Sequence, residues 1–184
     1  METYIALLRG VNVSGKNTIK MDTLRQTLTS KGFTNVQTYI QSGNVVFQST
    51  SKDPYGLAKE LGSQITSTFN LEVPVIVMPL YKLRSIVAEN PFAGNEEKTV
   101  QYLHVTFLAS PPDCTDLSKL RQKQLSNEEI ALTKDALYLY CPHGYGNTKL
   151  HNANIEKHLH VTATTRNWNI TQNILGLAQN IANG

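Results

Sequence analysis

Five apolar residues in a row, Tyr4-Ile5-Ala6-Leu7-Leu8, stand close to the start of the chain and break into a polar, glycine-bearing stretch over residues 9–18. So short and continuous a run reads as a buried strand. A buried strand needs neighbours and a covering layer, and the residues that follow supply both in a definite order. Asp22 is placed to cap a helix whose Met21, Leu24 and Leu28 share a face and which ends at Gly32. Val36, Thr38 and Ile40 alternate as one side of a strand, Gln41-Ser42-Gly43-Asn44 makes a turn, and Val45-Val46-Phe47 returns. Asp53-Pro54 starts a second helix, with Leu57, Leu61, Ile65 and Phe69 at spacings of four. A strand over 73–78 closes the unit, and Pro74 suits an edge position.

That order is β-α-β-β-α-β, the ferredoxin-like arrangement, and the chain goes through it twice. A short helix (Leu80, Leu83, Val87) and a break at Asn90-Pro91 lead to a strand over 100–108 and a helix over about 116–125. A hairpin follows around Lys134-Asp135, then a helix over about 148–159, a short strand near Val161 and a last helix from Trp168 to Ile181. The expected fold is α+β with mostly antiparallel sheets. Residues 1–79 form a first ferredoxin-like subdomain, 80–99 a connecting helix and loop, and 100–184 a second α+β subdomain with an extra C-terminal helix. One larger sheet is the alternative.

The wiring predicts where polar residues gather. The first and second strands run the same way and the third returns beside the first. The loop 9–18 and the turn 41–44 therefore share one end of the sheet. In the second unit the same logic places residues 142–149 near 164–168.

Hydrophobic residues make up 40% of the 184 and charged residues 17%, which fits a globular protein rather than a disordered one. A net charge of +3 tolerates an anionic partner but lacks the basic excess typical of a nucleic-acid binder. Cys114 and Cys141 stand in no metal or redox spacing and read as reduced thiols. An acid at position two and a short apolar run argue against a signal peptide, and nothing approaches a membrane span. The expectation is a cytoplasmic protein without a membrane partner.

Enzyme motifs fail on inspection. Gly10, Gly15 and Lys16 nearly match a phosphate-binding P-loop, but Asn17 stands where a hydroxyl should hold magnesium, and the helix starts several residues late. His151, His158 and His160 are spaced by seven and two, which puts them on no common helix face, so no metal site is expected. Ser14 and Ser42 lie beside glycines outside any nucleophile elbow. No cofactor is implied.

Four blocks remain: residues 8–13 (Leu-Arg-Gly-Val-Asn-Val), 39–47 (Tyr-Ile-Gln-Ser-Gly-Asn-Val-Val-Phe), 144–150 (Gly-Tyr-Gly-Asn-Thr-Lys-Leu) and 163–169 (Ala-Thr-Thr-Arg-Asn-Trp-Asn). In this order they closely resemble the domain-of-unknown-function 1697 family, uncharacterised bacterial proteins, over about the whole chain. The resemblance implies a small α+β bacterial protein and brings no activity, cofactor or catalytic residue with it. Ile170 departs from the threonine more usual there, which bears on a helix cap.

Read chemically, Arg9, Lys16, Lys149 and Arg166 suit phosphate or carboxylate. Asn12, Asn17, Gln41, Ser42, Asn44 and Asn167 are placed either to bond a ligand or to hold turns. Trp168 suits stacking on a base or a place in the core, and Tyr4, Tyr39 and Phe47 are the aromatics a sheet-borne RNA site would expose. The leading expectation is a binding protein for nucleic acid or a phosphate-bearing small molecule. The rivals are a small-molecule enzyme holding an anionic substrate through Arg9 or Arg166, and an adaptor protein.

Overall fold

The computed structural model describes residues 1–184 and contains eight strands and six helices. In the first sheet, β1 (Glu2–Leu8), β2 (Thr34–Tyr39), β3 (Asn44–Ser49) and β4 (Val75–Pro79) lie in the order β2-β3-β1-β4, every pair antiparallel. Its crossovers are α1 (Met21–Ser30) and α2 (Pro54–Phe69), and α3 (Leu80–Ala88) follows β4 directly. The second sheet holds β5 (Leu103–Leu108), β6 (Glu129–Leu132), β7 (Ala136–Tyr140) and β8 (Ala163–Asn167), in the order β6-β7-β5-β8. Here α4 (Ser118–Arg121) and α5 (Asn152–Leu159) are the crossovers, and α6 (Trp168–Asn183) ends the chain. The α+β class and the doubled β-α-β-β-α-β order expected from the sequence hold. Two compact units result: Met1–Ser85 with Asn173–Gly184, and Ile86–Gln172.

In the first unit Tyr4, Ala6 and Leu8 of β1 join Val45 and Phe47 of β3 against Leu24 and Leu28 of α1 and Leu57, Leu61 and Ile65 of α2. The register pairs Tyr4 with Phe47, whose rings stack at 5.7 Å, and Phe33 meets Phe47 edge-on at 5.0 Å. This overturns the placing of Tyr4 and Phe47 on an exposed sheet face. They are 1% and 0% exposed, because their strand parity turns them toward the helices, while Tyr39 is half-buried.

Local chemistry sets the element ends. The Asp53 carboxylate accepts the Tyr55 N–H at 3.1 Å and Pro54 opens α2, as a proline at the first helical position should. At α1 the cap is Lys20, and Asp22 lies inside the first turn, bonded to Arg25 at 3.1 Å. Drawing Met21 into the core starts this helix before Asp22, so Asp22 is no cap. The helix expected over 116–125 shrinks to α4. Side chains hold the flanks instead: Asp116 accepts the Ser118 N–H, and Glu128 accepts the Leu125 N–H at 2.8 Å. The helix expected over 148–159 starts at Asn152, since the Thr148 hydroxyl holds Leu150 extended. The strand expected near Val161 lies at 163–167, so Arg166 and Asn167 end a strand rather than lining a loop.

Gly43 adopts φ +73°, and a Cβ there would stand 2.5 Å from Val11 Cγ2 and 2.7 Å from Leu8 Cβ. Gly43→Ala is expected to destabilise the first unit by about 2–4 kcal/mol, combining left-handed strain with overpacking. Gly10→Ala, with open space around it, should cost only the strain. Urea unfolding of the two variants measures the difference.

Candidate functional site

The loop 9–18 and the turn 41–44 meet at one end of the first sheet. Leu7 faces Asn44 across β1 and β3, Leu8 N–H donates to the Gly43 carbonyl at 2.8 Å, and Arg9 N–H donates to Pro74 at 2.9 Å. Asn12 is the clasp between them. Its amide donates to the carbonyls of Ile19 (2.9 Å) and Gln41 (2.6 Å), and its Oδ1 accepts the Ile19 N–H at 2.8 Å. Asn17 donates to the Gly10 carbonyl at 3.0 Å. Both asparagines are left-handed, at φ 53° and 48°, a conformation that asparagine tolerates. Asn44 is fully buried and donates to Tyr39 O and Ser42 Oγ. The amides are thus spent on holding the backbone. Arg9 is half-buried there, and Lys16 and Gln41 remain exposed.

Beside this clasp lies an open cleft of about 370 Å³, lined by Lys20, Asp22, Thr23, Thr38, Ile40 and Gln41. It lies at the start of α1, where no side chain caps the first-turn N–H groups. Ile40 is left-handed at φ 50° and 46% exposed, an unusual conformation for a β-branched residue. Lys20 and Thr23 carried no motif in the sequence and emerge only with the cleft. The late start of α1 leaves Lys16 on the loop, away from the position a P-loop lysine takes.

In the second sheet the expected site residues serve the fold. Arg166 is 8% exposed and donates through Nη1 to Thr164 Oγ1 and the Thr165 carbonyl, each at 2.9 Å. Burial pulls its pKa down to about 10, with Tyr145 acting in the opposite sense. Asn167 caps α6, its Oδ1 accepting the Ile170 N–H at 2.8 Å. That bond uses the backbone, so isoleucine at 170 leaves the cap intact. Trp168 is 6% exposed and belongs to the core, which removes it as a stacking platform. Lys149 is exposed just before α5, and its carbonyl accepts from Asn154.

A polar chain missed in the sequence crosses the helix-covered side of the same sheet. Thr165 donates to Asn152 Oδ1 at 2.7 Å, which leaves the Thr106 hydroxyl to donate to Thr165 at 2.7 Å. Nearby the His104 ring stacks on Tyr145 at 4.7 Å, and its Nδ1 lies 3.2 Å from the Tyr102 carbonyl. Two polar residues, His104 and Thr106, alternating inside an otherwise apolar strand were the available signal. No group of three or more His, Cys, Asp or Glu is placed to hold a metal, and no helix is long and apolar enough to cross a membrane.

The model of a family described as proteins of unknown function (DUF1697) matches residues 1–138. The chain belongs to that family. The solved structure of a conserved bacterial protein from Streptococcus pneumoniae is similar to it, with a TM-score of 0.66 at 22% identity, covering 96% of this chain and 98% of that one. No curated protein matches. The blocks at 144–150 and 163–169 fall outside the matched residues of this DUF1697 chain, so likeness there rests on the shared fold.

Its cysteines differ sharply. Cys141 is fully buried, and burial first, then Glu128, pushes its thiol up to about 12, whereas Cys114 is half-exposed. A thiol reagent at pH 8 should label Cys114 alone until the protein unfolds. His104 offers a second check. Burial lowers its pKa below 6.5, so the unfolded chain binds the proton more readily, and stability falls as pH drops below about 6.5. His104→Phe should flatten that slope in denaturation curves recorded between pH 7.5 and 5.

Proposed function

We propose that this DUF1697 protein binds a phosphate-bearing small molecule of nucleotide size at the loop end of its first sheet. The observation that carries the reading is the cleft at the start of α1. First-turn N–H groups without a side-chain cap favour an anion there, and Lys20 adds a cation at the rim. Thr23, Thr38 and Gln41 offer further hydrogen bonds, and exposed Ile40 offers an apolar flank for a sugar or base.

Burial of the sheet aromatics favours a small ligand over RNA laid across a sheet face, since Tyr4 and Phe47 have no accessible ring surface. The enzyme alternative finds less support. Asp22 is the only carboxylate lining the cleft, and it bonds Arg25. Arg166 is held by its own strand and Thr164.

Asp22 tunes the site, because its negative charge opposes an anion at the same helix end. Asp22→Asn is expected to tighten nucleotide binding about two- to fivefold, and Lys20→Ala to weaken it by a similar factor. Calorimetric titration with ATP, AMP and inorganic phosphate measures both. In parallel, the backbone amides of Thr23 and Gln41 should shift in NMR spectra. Unmoved amides at millimolar nucleotide would sink the reading.

A further inference from the structure

In the second unit one lysine side chain holds a whole turn against the sheet. Residues 94–97 are exposed, and the turn's hydrogen bonds run within it: the Glu97 N–H donates to Asn95 Oδ1 at 2.9 Å and the Lys98 N–H to the Asn95 carbonyl at 3.0 Å. On either side the chain is anchored. Before the turn, Asn90 Oδ1 accepts the N–H of buried Phe92 at 3.0 Å; after it, the Tyr102 carbonyl accepts the Cys141 N–H at 2.9 Å. Between these anchors Lys98 reaches back to the strands.

Three side chains receive it. Glu129 opens β6 and Tyr140 ends β7, and the register sets the two directly opposite each other, which puts their side chains on one face. The Lys98 ammonium pairs with Glu129 and lies 4.4 Å from the centre of the Tyr140 ring and 5.3 Å from that of Phe92. The Lys98 side chain is only 11% exposed. A carboxylate and two ring faces replace the water that an ammonium ion gives up on burial. The chemistry that this place accepts is therefore on view, because an ammonium already fills it. Gly94, Asn95, Glu96 and Glu97 bury nothing of their own, so releasing the turn costs little beyond the contacts of Lys98.

We propose that Phe92, Glu129 and Tyr140 form a binding site for a small primary alkylammonium ion, which Lys98 fills until the turn 94–98 swings away. The ligand's ammonium takes the place of the Lys98 ammonium, and its alkyl chain lies along the rings. The contact with Glu129 selects a primary ammonium over a quaternary one, because only the former has an N–H to donate to the carboxylate. Competition from Lys98 lowers the apparent affinity in proportion to the fraction of time the site stands open. The site shares no residue with the proposed nucleotide cleft, so either can fail alone.

The probe is n-butylammonium, which is the Lys98 side chain cut from its backbone, titrated into the full chain and followed by NMR. At millimolar n-butylammonium the backbone amides of Glu129 and Tyr140 should shift in a saturable way. The Lys98 methylene signals, displaced by the ring currents of Phe92 and Tyr140, should move toward those of an exposed lysine. Lys98→Ala removes the competitor and should bind the probe about tenfold more tightly. Adding Tyr140→Leu or Glu129→Gln to that variant should lose most of the gain. Both 1-butanol, of the same length without the charge, and tetramethylammonium, without an N–H, should bind more weakly than n-butylammonium. Glu129 and Tyr140 amides that stay unmoved in the wild type overturn the proposal whatever the variants do, since Lys98 is then a permanent clasp. An equal response to 1-butanol overturns it as well, by making the site a general apolar slot, and tighter binding of tetramethylammonium overturns the choice of a primary ammonium. The wild-type titration needs no substitution, so a Lys98→Ala chain that fails to fold leaves the test intact.

Discussion

Everything else in the molecule is arranged around two strands buried on both sides. Residues 4–8 of β1 are each at most 1% exposed, and all six residues of β5 are at most 8% exposed. A strand so placed presents neither face to solvent, so neither sheet can act through its surface as sheet-borne nucleic-acid sites do. Chemistry is left to the strand ends and to the outer faces of the crossover helices. The candidate cleft lies in such a place, at the end of the first sheet.

Confining function to the ends places a heavy demand on loop geometry. The stretch 9–18 turns back on itself through left-handed residues, and an isolated bridge joins Val13 to Lys16. Such a loop holds its shape only if its backbone groups find partners, since each buried group left unpaired costs about 1–3 kcal/mol. Asn12 and Asn17 supply them, with four hydrogen bonds between them. This explains why a loop dense in ligand-like amides has few of them available. The residues that look most like a recognition motif build the platform, and the groups with free valence, Lys20 and Thr23, belong to the helix it positions.

The same division explains what the sequence did and did not disclose. The element order was legible because helix and strand periods are local: Leu57, Leu61 and Ile65 fall on one face whatever the rest of the chain does. The sharing of one end by the loop 9–18 and the turn 41–44 followed from strand direction alone. Element ends were less legible, because they depend on tertiary pull and on side chains that compete with the backbone, as at Met21 for α1 and Glu128 for α4. Roles were the least legible. An asparagine that clasps a loop and one that grips a ligand use the same donor and acceptor, and only the partner tells them apart. Trp168 shows the same limit, for a single tryptophan reads equally well as platform and as core until its neighbours are known.

The two sheets share their wiring and differ in what fills it. In the first, the helix-covered side of β1 is Tyr4, Ala6 and Leu8, with a single hydroxyl bonded at its rim to Glu2 and the Ser51 carbonyl. In the second, the matching side of β5 carries His104, stacked on Tyr145, and Thr106, tied through Thr165 to Asn152 of α5, while the other side of β8 buries Arg166. Buried apolar faces already specify register, and a chain of hydroxyl and amide bonds adds to that, because a slip of one residue would leave each member buried and unpaired. Apolar packing sets the register of the first sheet, and in the second the polar chain sets it as well. The last bond of that chain ties the start of α5 to β8 through Asn152.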